Sequence, residues 1–251
     1  PCGKVSGSDL DPGTTTRCCS NRNHGASSAN GDWLIFVDDD IVPDRQFLCA
    51  YLQAIASVGD DKTALEGSTL RERELPSLLW EAPHNPDGGI LISCNIAISK
   101  ANFFSAGAFD ARFPLGSYFE DTEFAARILA KGFETHFVPE AKVVHPLRKR
   151  PNSRKLALRW QGNAIYAFDQ GASAHRVLWN LPWHALRVIQ SRFRGQRLDA
   201  ENIKAMSLFA AEWLWVLWFT PGWVMKWSTR ERSPFWSEWV ARHGPAPKYG
   251  F

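Results

Sequence analysis

The sequence is poor in cysteine and has no long apolar run that is free of charge. Its five cysteines are an odd number without any C-x-x-C spacing, which fits reduced cytosolic thiols better than a disulfide framework. The first 22 residues hold almost no large apolar side chain and lack the basic-then-apolar pattern of a signal peptide. We therefore expect them to form a loop or tail, and the protein to be cytoplasmic.

Basic and aromatic residues are concentrated in the second part of the chain. Residues 1–147 hold 12 Lys and Arg against 20 Asp and Glu, whereas residues 148–251 hold 17 against 6 together with ten of the 12 Trp. The change falls at the basic cluster 148–155, so we predict one domain over 1–147 and a helical extension over 148–251. Such a surface suits an anionic membrane or a nucleic acid. We expect the membrane and no nucleic acid.

Strand-like and helix-like segments alternate up to residue 147, which indicates the α/β class. Residues 33–37 (WLIFV) form an unbroken apolar run, the pattern of a strand covered on both faces in a parallel sheet. A helix is predicted over 44–57 and a second strand over 90–99. Residues 120–132 have acidic residues in the first turn and a Gly after the last, as helices do. Two short β-like runs, FETHFVP and KVVH, come next.

Three consecutive aspartates follow the first apolar run, at the strand end where ligands bind in open α/β sheets. Side chains alternate along an extended backbone, so Asp38 and Asp40 point to one side and Asp39 to the other. Two carboxylates spaced in this way can hold one divalent cation, and oxygen ligands favour Mg²⁺ or Mn²⁺ over zinc. The alternative is an acidic loop that caps the helix starting near Asp44.

Two further residues stand at the ends of predicted elements. Asp121 falls in the apolar stripe of its helix, whereas Glu123 and Arg127 lie on the polar face and can pair. Asp121 either satisfies backbone N–H groups of the first turn or faces a cleft, where a desolvated carboxylate acts as a general base. His145 ends a short strand and is either a structural residue or a metal ligand.

Residues 22–43 (RNHGASSANGDWLIFVDDDIVP) resemble the R-N-x-G-x-x-x-A-x-G-x-W-x-x-F-x-D-x-D stretch of glycosyltransferase family 2. Residues 93–146 resemble the N-x-A-x-x-[RK], G-x-F-D, E-D-x-E…R…G and V-x-H segments of that family, in the same order. Several spaced motifs in order are more specific than any one of them. The resemblance implies a partial GT-A, Rossmann-like sheet with helices on both faces, followed by a helical C-terminal extension.

The resemblance also implies roles for single residues. Asp38 and Asp40 would be the D-x-D pair that binds Mn²⁺ or Mg²⁺ on the diphosphate of a nucleotide-sugar, with Asp39 among the donor-binding residues. Asp121 would be the base that deprotonates the acceptor hydroxyl, and His145 would be a further metal ligand. The polar residues of the matching segments either line the substrate cleft or order loops; they are Arg22, Asn23 and Asn95.

Family members open with a strand, a helix and a second strand that form most of the nucleotide pocket. Residues 1–21 resemble none of these elements. We therefore expect the chain to enter the fold partway, with residues 1–21 as an unmatched tail.

Residues 205–225 carry a single charge, Glu212, over a length that could just cross a bilayer. Glu212 and Pro221 oppose insertion, which favours a helix lying at the membrane interface. In that position the lipid headgroup region would contain the indole rings of Trp213, Trp215, Trp218, Trp223 and Trp227. The alternative is that this helix packs as core.

These features predict a bacterial-type inverting glycosyltransferase, peripheral on the inner face of the plasma membrane. It would move a sugar from a nucleotide-sugar donor to a glycan or lipid-linked acceptor. Two alternatives remain. One is a metal-dependent nucleotidyl- or phosphotransferase that uses Asp38 and Asp40, and the other is a non-catalytic membrane-docking remnant.

Overall fold

The computed structural model describes residues 18–58, 62–114, 119–197 and 199–244. The chain divides into two compact units. Unit 1 comprises Pro1–Glu74, Ala82–Leu115 and Glu120–Leu147, and unit 2 comprises Leu75–Glu81, Gly116–Phe119 and Arg148–Phe251. In chain order the helices and strands are α1 (Cys18–Ser28), β1 (Trp33–Val37), β2 (Val42–Pro43), α2 (Phe47–Val58), β3 (Thr63–Arg71), β4 (Trp80–Glu81), β5 (Asn95–Ser99), α3 (Lys100–Ser105), α4 (Glu120–Ala130), β6 (Glu134–His145), β7 (Arg148–Lys149), α5 (Ser153–Leu158), α6 (Gln161–Asp169), α7 (Ala174–Arg192), α8 (Ala200–Ser228) and α9 (Pro234–His243).

Unit 1 is built on a mixed sheet with the strand order β1-β5-β3-β6-β2. Strand β5 is antiparallel to both β1 and β3, and β3 is parallel to β6. Strands β1, β3 and β6 therefore run in the same direction. The prediction of a parallel setting for β1 is wrong, because this strand lies at an edge of the sheet and pairs only with the antiparallel β5. The α/β class with a helical C-terminal part is confirmed.

Helices cover both faces of the sheet, and the alternation of β1 shows how. Trp33 and Ile35 pack on the α2 side, against a core cluster that includes Tyr51. Phe36 points to the opposite face, where its ring centroid lies 5.0 Å from that of Phe103 on α3. Phe103 also contacts Phe124 of α4. The apolar run therefore serves two cores at once, which explains why no polar residue interrupts it.

Three predicted boundaries differ from the structure. Helix α1 begins at Cys18, so the predicted loop is wrong over 18–22, and residues 1–17 lie outside the described residues. The strand predicted over 90–99 is formed only from Asn95, where β5 begins. Strand β6 is one element, although two runs were predicted, because Pro139 falls in the interruption of its pairing with β3 and no ladder hydrogen bond is lost there.

Asn95 closes the sheet at that interruption. The β3–β6 register shifts between Gly67 and Thr69, and a shift of this kind leaves backbone groups without ladder partners. The Asn95 amide donates to the carbonyl oxygens of Ser68 (3.0 Å) and Ala141 (2.8 Å). Its Oδ1 accepts a 2.8 Å hydrogen bond from the hydroxyl of Tyr51. A buried side chain thus replaces the missing ladder bonds.

Unit 2 consists of the β4–β7 pair and helices α5 to α9, and it contains two buried or half-buried carboxylates with cationic partners. Glu81 accepts hydrogen bonds from Arg150 (2.6 Å) and Arg159 (2.9 Å). Glu212 of α8 is fully buried and accepts from the indole of Trp160 at 2.8 Å. Arg192 lies 3.2 Å from its other oxygen. The single charge of the apolar segment therefore points into unit 2.

The tryptophans of α8 differ in how far they are buried within unit 2. Trp223 and Trp227 are buried, so the prediction that these two rings lie in a headgroup region is wrong. Trp218 is exposed, and the partly buried Trp213 donates to the carbonyl oxygen of Pro182 (3.0 Å). Within the described ranges, no helix combines the length and the apolar character needed to cross a membrane.

Among the described residues, Cys18, Cys19 and Cys94 are thiols outside any disulfide, and of these Cys19 and Cys94 are buried.

Gly67 is a position where the packing of unit 1 leaves no room for a side chain. A Cβ there would collide with the carbonyl oxygen of Ala141 and with the amide of Asn95. We predict that Gly67→Ala lowers the free energy of unfolding by about 1–3 kcal/mol, the usual cost of overpacking. Urea denaturation measures it. Gly25→Ala is the control, because its Cβ would meet nothing within 4 Å in α1; equal losses in both variants would contradict the prediction.

Candidate active site

The carboxyl ends of β1, β3 and β6 share one edge of the unit 1 sheet, because these strands run in the same direction. The three aspartates follow β1 directly, and His145 is the last residue of β6. The pairing of β2 with β6 places Val42 opposite Val144, which brings the chain after the aspartates back beside His145. Strand direction thus gathers residues that are more than 100 positions apart.

Asp38, Asp40 and His145 form a compact group. The Nε2 atom of His145 lies 3.5 Å from Oδ2 of Asp38 and 3.5 Å from Oδ1 of Asp40. One ligand atom from each of the three residues falls within 4.8 Å of the others. Both carboxylates are about three-quarters buried, and the imidazole is only 2% exposed. The arrangement can hold a divalent cation.

A hydrogen bond on the side of the ring away from the carboxylates sets the orientation of His145. Its Nδ1 lies 3.0 Å from the carbonyl oxygen of Pro146, and a carbonyl can only accept, so Nδ1 carries the proton. In the neutral ring, Nε2 then presents a lone pair toward the carboxylates of Asp38 and Asp40. A second hydrogen bond that fixes the tautomer in this way is common among metal-binding histidines.

Arg22 of α1 supplies a positive charge beside this group. Its Nη2 lies 3.2 Å from Oδ1 of Asp38, and the guanidinium stands 5.7 Å from the ring centroid of Phe109. Burial alone would lower the pKa of Arg22, but the negative charges of Asp121 and Asp38 outweigh it and raise that pKa. Arg22 is therefore a fixed cation between the two groups of carboxylates.

Asp121 lies in the first turn of α4 and interacts electrostatically with both Asp38 and Arg22. Burial raises the pKa of Asp121, against hydrogen bonds from Ser93 and the charge of Arg22 that lower it. Within the described part of the chain, its buried Oδ1 has no hydrogen-bond partner. A desolvated carboxylate with a free oxygen can accept a proton from a bound hydroxyl.

Glu120 precedes Asp121 and shares its desolvated environment. Burial, with the charge of Asp121 next in size, raises the pKa of Glu120 to about 8. The thiol of Cys18 on α1 points at Oε1 of Glu120 from 4.0 Å. At neutral pH Glu120 is therefore mostly protonated, in a turn where burial raises the pKa of Asp121 as well.

The Glu123–Arg127 pair was predicted on an exposed polar face, but it is buried. Arg127 donates to Glu123 at 2.8 Å and also to the carbonyl oxygens of Ala106 (2.5 Å) and Ala108 (2.6 Å). Asn23 holds the next residue, because its amide exchanges two hydrogen bonds with the backbone of Phe109. These contacts fix the segment after α3 that contains Phe109, whose ring lies beneath the guanidinium of Arg22.

Sequence reasoning missed Glu66, a buried carboxylate in β3. It accepts hydrogen bonds from the side chain of Asn85 (2.6 Å) and from the backbone N–H groups of Gly89 (2.5 Å), Ile90 (3.1 Å) and Leu91. One side chain thus orders most of the loop that leads to Ser93. An acidic residue within an otherwise apolar and small-residue strand was the available signal.

The structure brings together five of the predicted site residues: Arg22, Asp38, Asp40, Asp121 and His145. Asp39 is exposed and lies outside the group of possible metal ligands. Asn23 and Asn95 use their amides within the fold, to order a loop and to complete the sheet. A role for these three in donor binding stays a prediction.

The chain is similar to known glycosyltransferase families and to solved structures. The pattern of glycosyl transferase family group 2 matches residues 91–227, and that of glycosyl transferase family 2 matches residues 13–64. Among solved structures, GalNAc-T7 in a crystal structure with UDP, GalNAc and Mn²⁺ is similar, with 17% identity and a TM-score of 0.40. The match covers 60% of this chain and 37% of GalNAc-T7. No match was found among the curated proteins.

The first of these matches covers more than half of the chain and includes Asp121 and His145. The second ends in β3 and includes the three aspartates. The chain belongs to the glycosyl transferase family group 2. The family resemblance inferred from the spaced motifs is thereby confirmed.

Glu66 should contribute to stability through its amide contacts. We predict that Glu66→Gln lowers the free energy of unfolding by about 1.5–3 kcal/mol, because hydrogen bonds to a charged acceptor are lost and an NH₂ group faces other donors. Urea denaturation measures the change. Glu134→Gln, at an exposed residue of β6, is the matched control. A loss no larger than in that control would show that the loop orders itself without Glu66.

Glu120 should make stability depend on pH. Its folded-state pKa of about 8 exceeds the ordinary 4.5, so in that interval the folded state holds a proton that the unfolded state releases, and stability falls as pH rises. Glu120→Gln removes this loss. We predict that its stability advantage over the native chain grows between about pH 5 and pH 8 in denaturation curves. The exposed Glu140→Gln serves as the control, and a constant difference would refute the assignment.

Proposed function

We propose that unit 1 transfers a sugar from a nucleoside-diphosphate sugar to the hydroxyl of a glycan or lipid-linked acceptor, with inversion at the anomeric carbon. Asp38, Asp40 and His145 would hold Mn²⁺ or Mg²⁺, and Asp121 would be the general base. Membership of a glycosyltransferase family supports the reaction class. The observation that carries the metal site is the position of His145 Nε2, 3.5 Å from an oxygen of each aspartate.

The residues fit a divalent cation. Nδ1 of His145 donates to a carbonyl, so Nε2 of the neutral ring has its lone pair directed toward the two carboxylates. All three groups can therefore donate electron pairs to one cation. Separations of 3.5 Å are too long for strong hydrogen bonds, and they suit three ligand atoms placed around a common ion. Two carboxylate oxygens and one imidazole form a donor set suited to Mn²⁺.

The residues of the chain divide the chemistry between them. A bound cation would screen the negative charge that grows on the departing nucleoside diphosphate. Arg22 holds the carboxylate of Asp38 from the other side and stays charged throughout. Asp121 takes the proton of the acceptor hydroxyl on its free Oδ1 as the new glycosidic bond forms. A single base of this kind suits one direct displacement, which inverts the anomeric carbon.

The proposal is tested by binding before turnover. We expect a nucleoside diphosphate, with UDP, GDP and dTDP screened in turn, to raise the melting temperature only with Mn²⁺ present. At a hundredfold excess over Kd, the gain is about 2.7 kcal/mol, or roughly 5–10 °C for a chain of this size. Asp40→Asn should abolish the rise, and Asp32→Asn, at an exposed residue before β1, should keep it. A rise that is independent of Mn²⁺ would contradict the site.

The same melting experiment, together with an assay of sugar transfer, tests Asp121 as the general base. Asp121→Asn should keep the Mn²⁺-dependent melting shift and lower the rate of sugar transfer by about 10²–10⁴-fold, the usual contribution of a general base. Transfer is measured by the release of nucleoside diphosphate from the sugar donor. Unchanged turnover would exclude Asp121 as the base. Release of pyrophosphate from a nucleoside triphosphate would instead indicate a nucleotidyltransferase.

A further inference from the structure

Helix α8 has two faces with different environments. Its buried face points into unit 2 and includes the paired Glu212. The opposite face is also apolar but exposed, and its large side chains recur at helical spacing; they are Ile203, Met206, Leu214, Leu217, Trp218 and Met225. Trp218 and Met225 are each 76% exposed. The exposed row extends for about 33 Å at 1.5 Å per residue.

Helix α7 continues this surface with a row of mixed character. Trp179 and Trp183 are 67% and 58% exposed, one turn apart. Arg176 and Arg187 are exposed too, three residues before and four residues after this pair. These four residues therefore share one side of the helix. No acidic residue occurs anywhere in α7, so the row is basic and aromatic.

The two rows meet at a seam inside unit 2. The indole of Trp213 on α8 donates to the carbonyl oxygen of Pro182 on α7 at 3.0 Å. Trp183 follows Pro182, and Leu214 follows Trp213, so one exposed residue of each row stands next to this contact. We call the two exposed rows together the α7–α8 face.

We propose that the α7–α8 face lies on an anionic lipid bilayer, with the exposed Trp, Leu and Met side chains among the acyl chains and Arg176 and Arg187 at the headgroups. This inference goes beyond the proposed reaction and does not depend on it. An exposed apolar surface of such length is rare on soluble monomers. Long apolar side chains flanked by Arg and Trp are the composition of helices that lie in the membrane interface.

Two other occupants fit the surface less well. If a second copy of the chain packed on this face, the arginines of α7 in one copy would meet the same face of the other copy, to which α7 contributes no acidic residue. Like charges across an interface are unfavourable. A nucleic acid would require cations along the groove it follows. Between Met206 and Met225, however, Glu212 is the single charged residue of α8, and it is buried.

Vesicle flotation with the full chain tests the proposal. We expect the protein to float with vesicles of phosphatidylcholine containing about one-third phosphatidylglycerol, and much less with phosphatidylcholine alone. Leu214→Glu combined with Trp218→Glu should lower the bound fraction at least fivefold. The matched control is Leu52→Glu in unit 1, since Leu52 is 58% exposed and Leu214 is 60% exposed. Circular dichroism confirms that each variant is folded.

The charge contribution has its own variant. Arg176→Gln with Arg187→Gln should weaken binding to the phosphatidylglycerol vesicles, because each basic residue near an anionic surface is worth about fivefold in affinity, and should leave the weak binding to phosphatidylcholine unchanged. Failure of the native chain to float would overturn the proposal. So would a dimer in light scattering that Leu214→Glu dissociates, or retention of the chain by single-stranded DNA through the same residues. None of these outcomes bears on nucleotide binding by unit 1.

Discussion

Two carboxylates and the lone pair of an imidazole meet at the carboxyl edge of the unit 1 sheet, and the rest of that unit is arranged around them. Groups of like polarity do not approach one another without something to oppose the repulsion. Arg22 does so from one side, through Asp38. The hydrogen bond from Nδ1 of His145 to Pro146 fixes which nitrogen faces the acids, but it does not reduce the repulsion. A cation bound at this edge would offset the remaining repulsion.

Buried polar residues hold the backbone behind this edge. Asn95 replaces the ladder bonds that are missing at the β3–β6 irregularity, Glu66 orders the loop before Ser93, and Arg127 fixes the segment after α3. Each of them is saturated with partners, as buried polar groups must be. Burial raises the pKa of both Glu120 and Asp121 at the start of α4, and Oδ1 of Asp121 has no hydrogen-bond partner among the described residues.

Between Met206 and Met225, helix α8 is mostly apolar and has one charged residue, and unit 2 accommodates that charge by directing it inward. Glu212 is the charge that argues against membrane insertion, and it is directed inward to Trp160 and Arg192. The large exposed side chains on the outer side of α8, from Ile203 to Met225, are apolar. One helix thus contributes to the core of unit 2 on one side and exposes large apolar side chains on the other.

The sequence indicated the α/β class, the family and the acidic residues that the structure gathers at one edge of the sheet, because a strand end followed by D-x-D and an acidic helix start are local patterns with strong physical meaning. It did not determine that β1 lies antiparallel at an edge, since both arrangements bury an apolar run. Nor did it identify β3, whose Glu66 and Gly67 have meaning only beside the loop and strand they contact. Tertiary structure alone decided which tryptophans of α8 are buried, because a helix that is apolar on two sides contains no local signal for the side that meets the core.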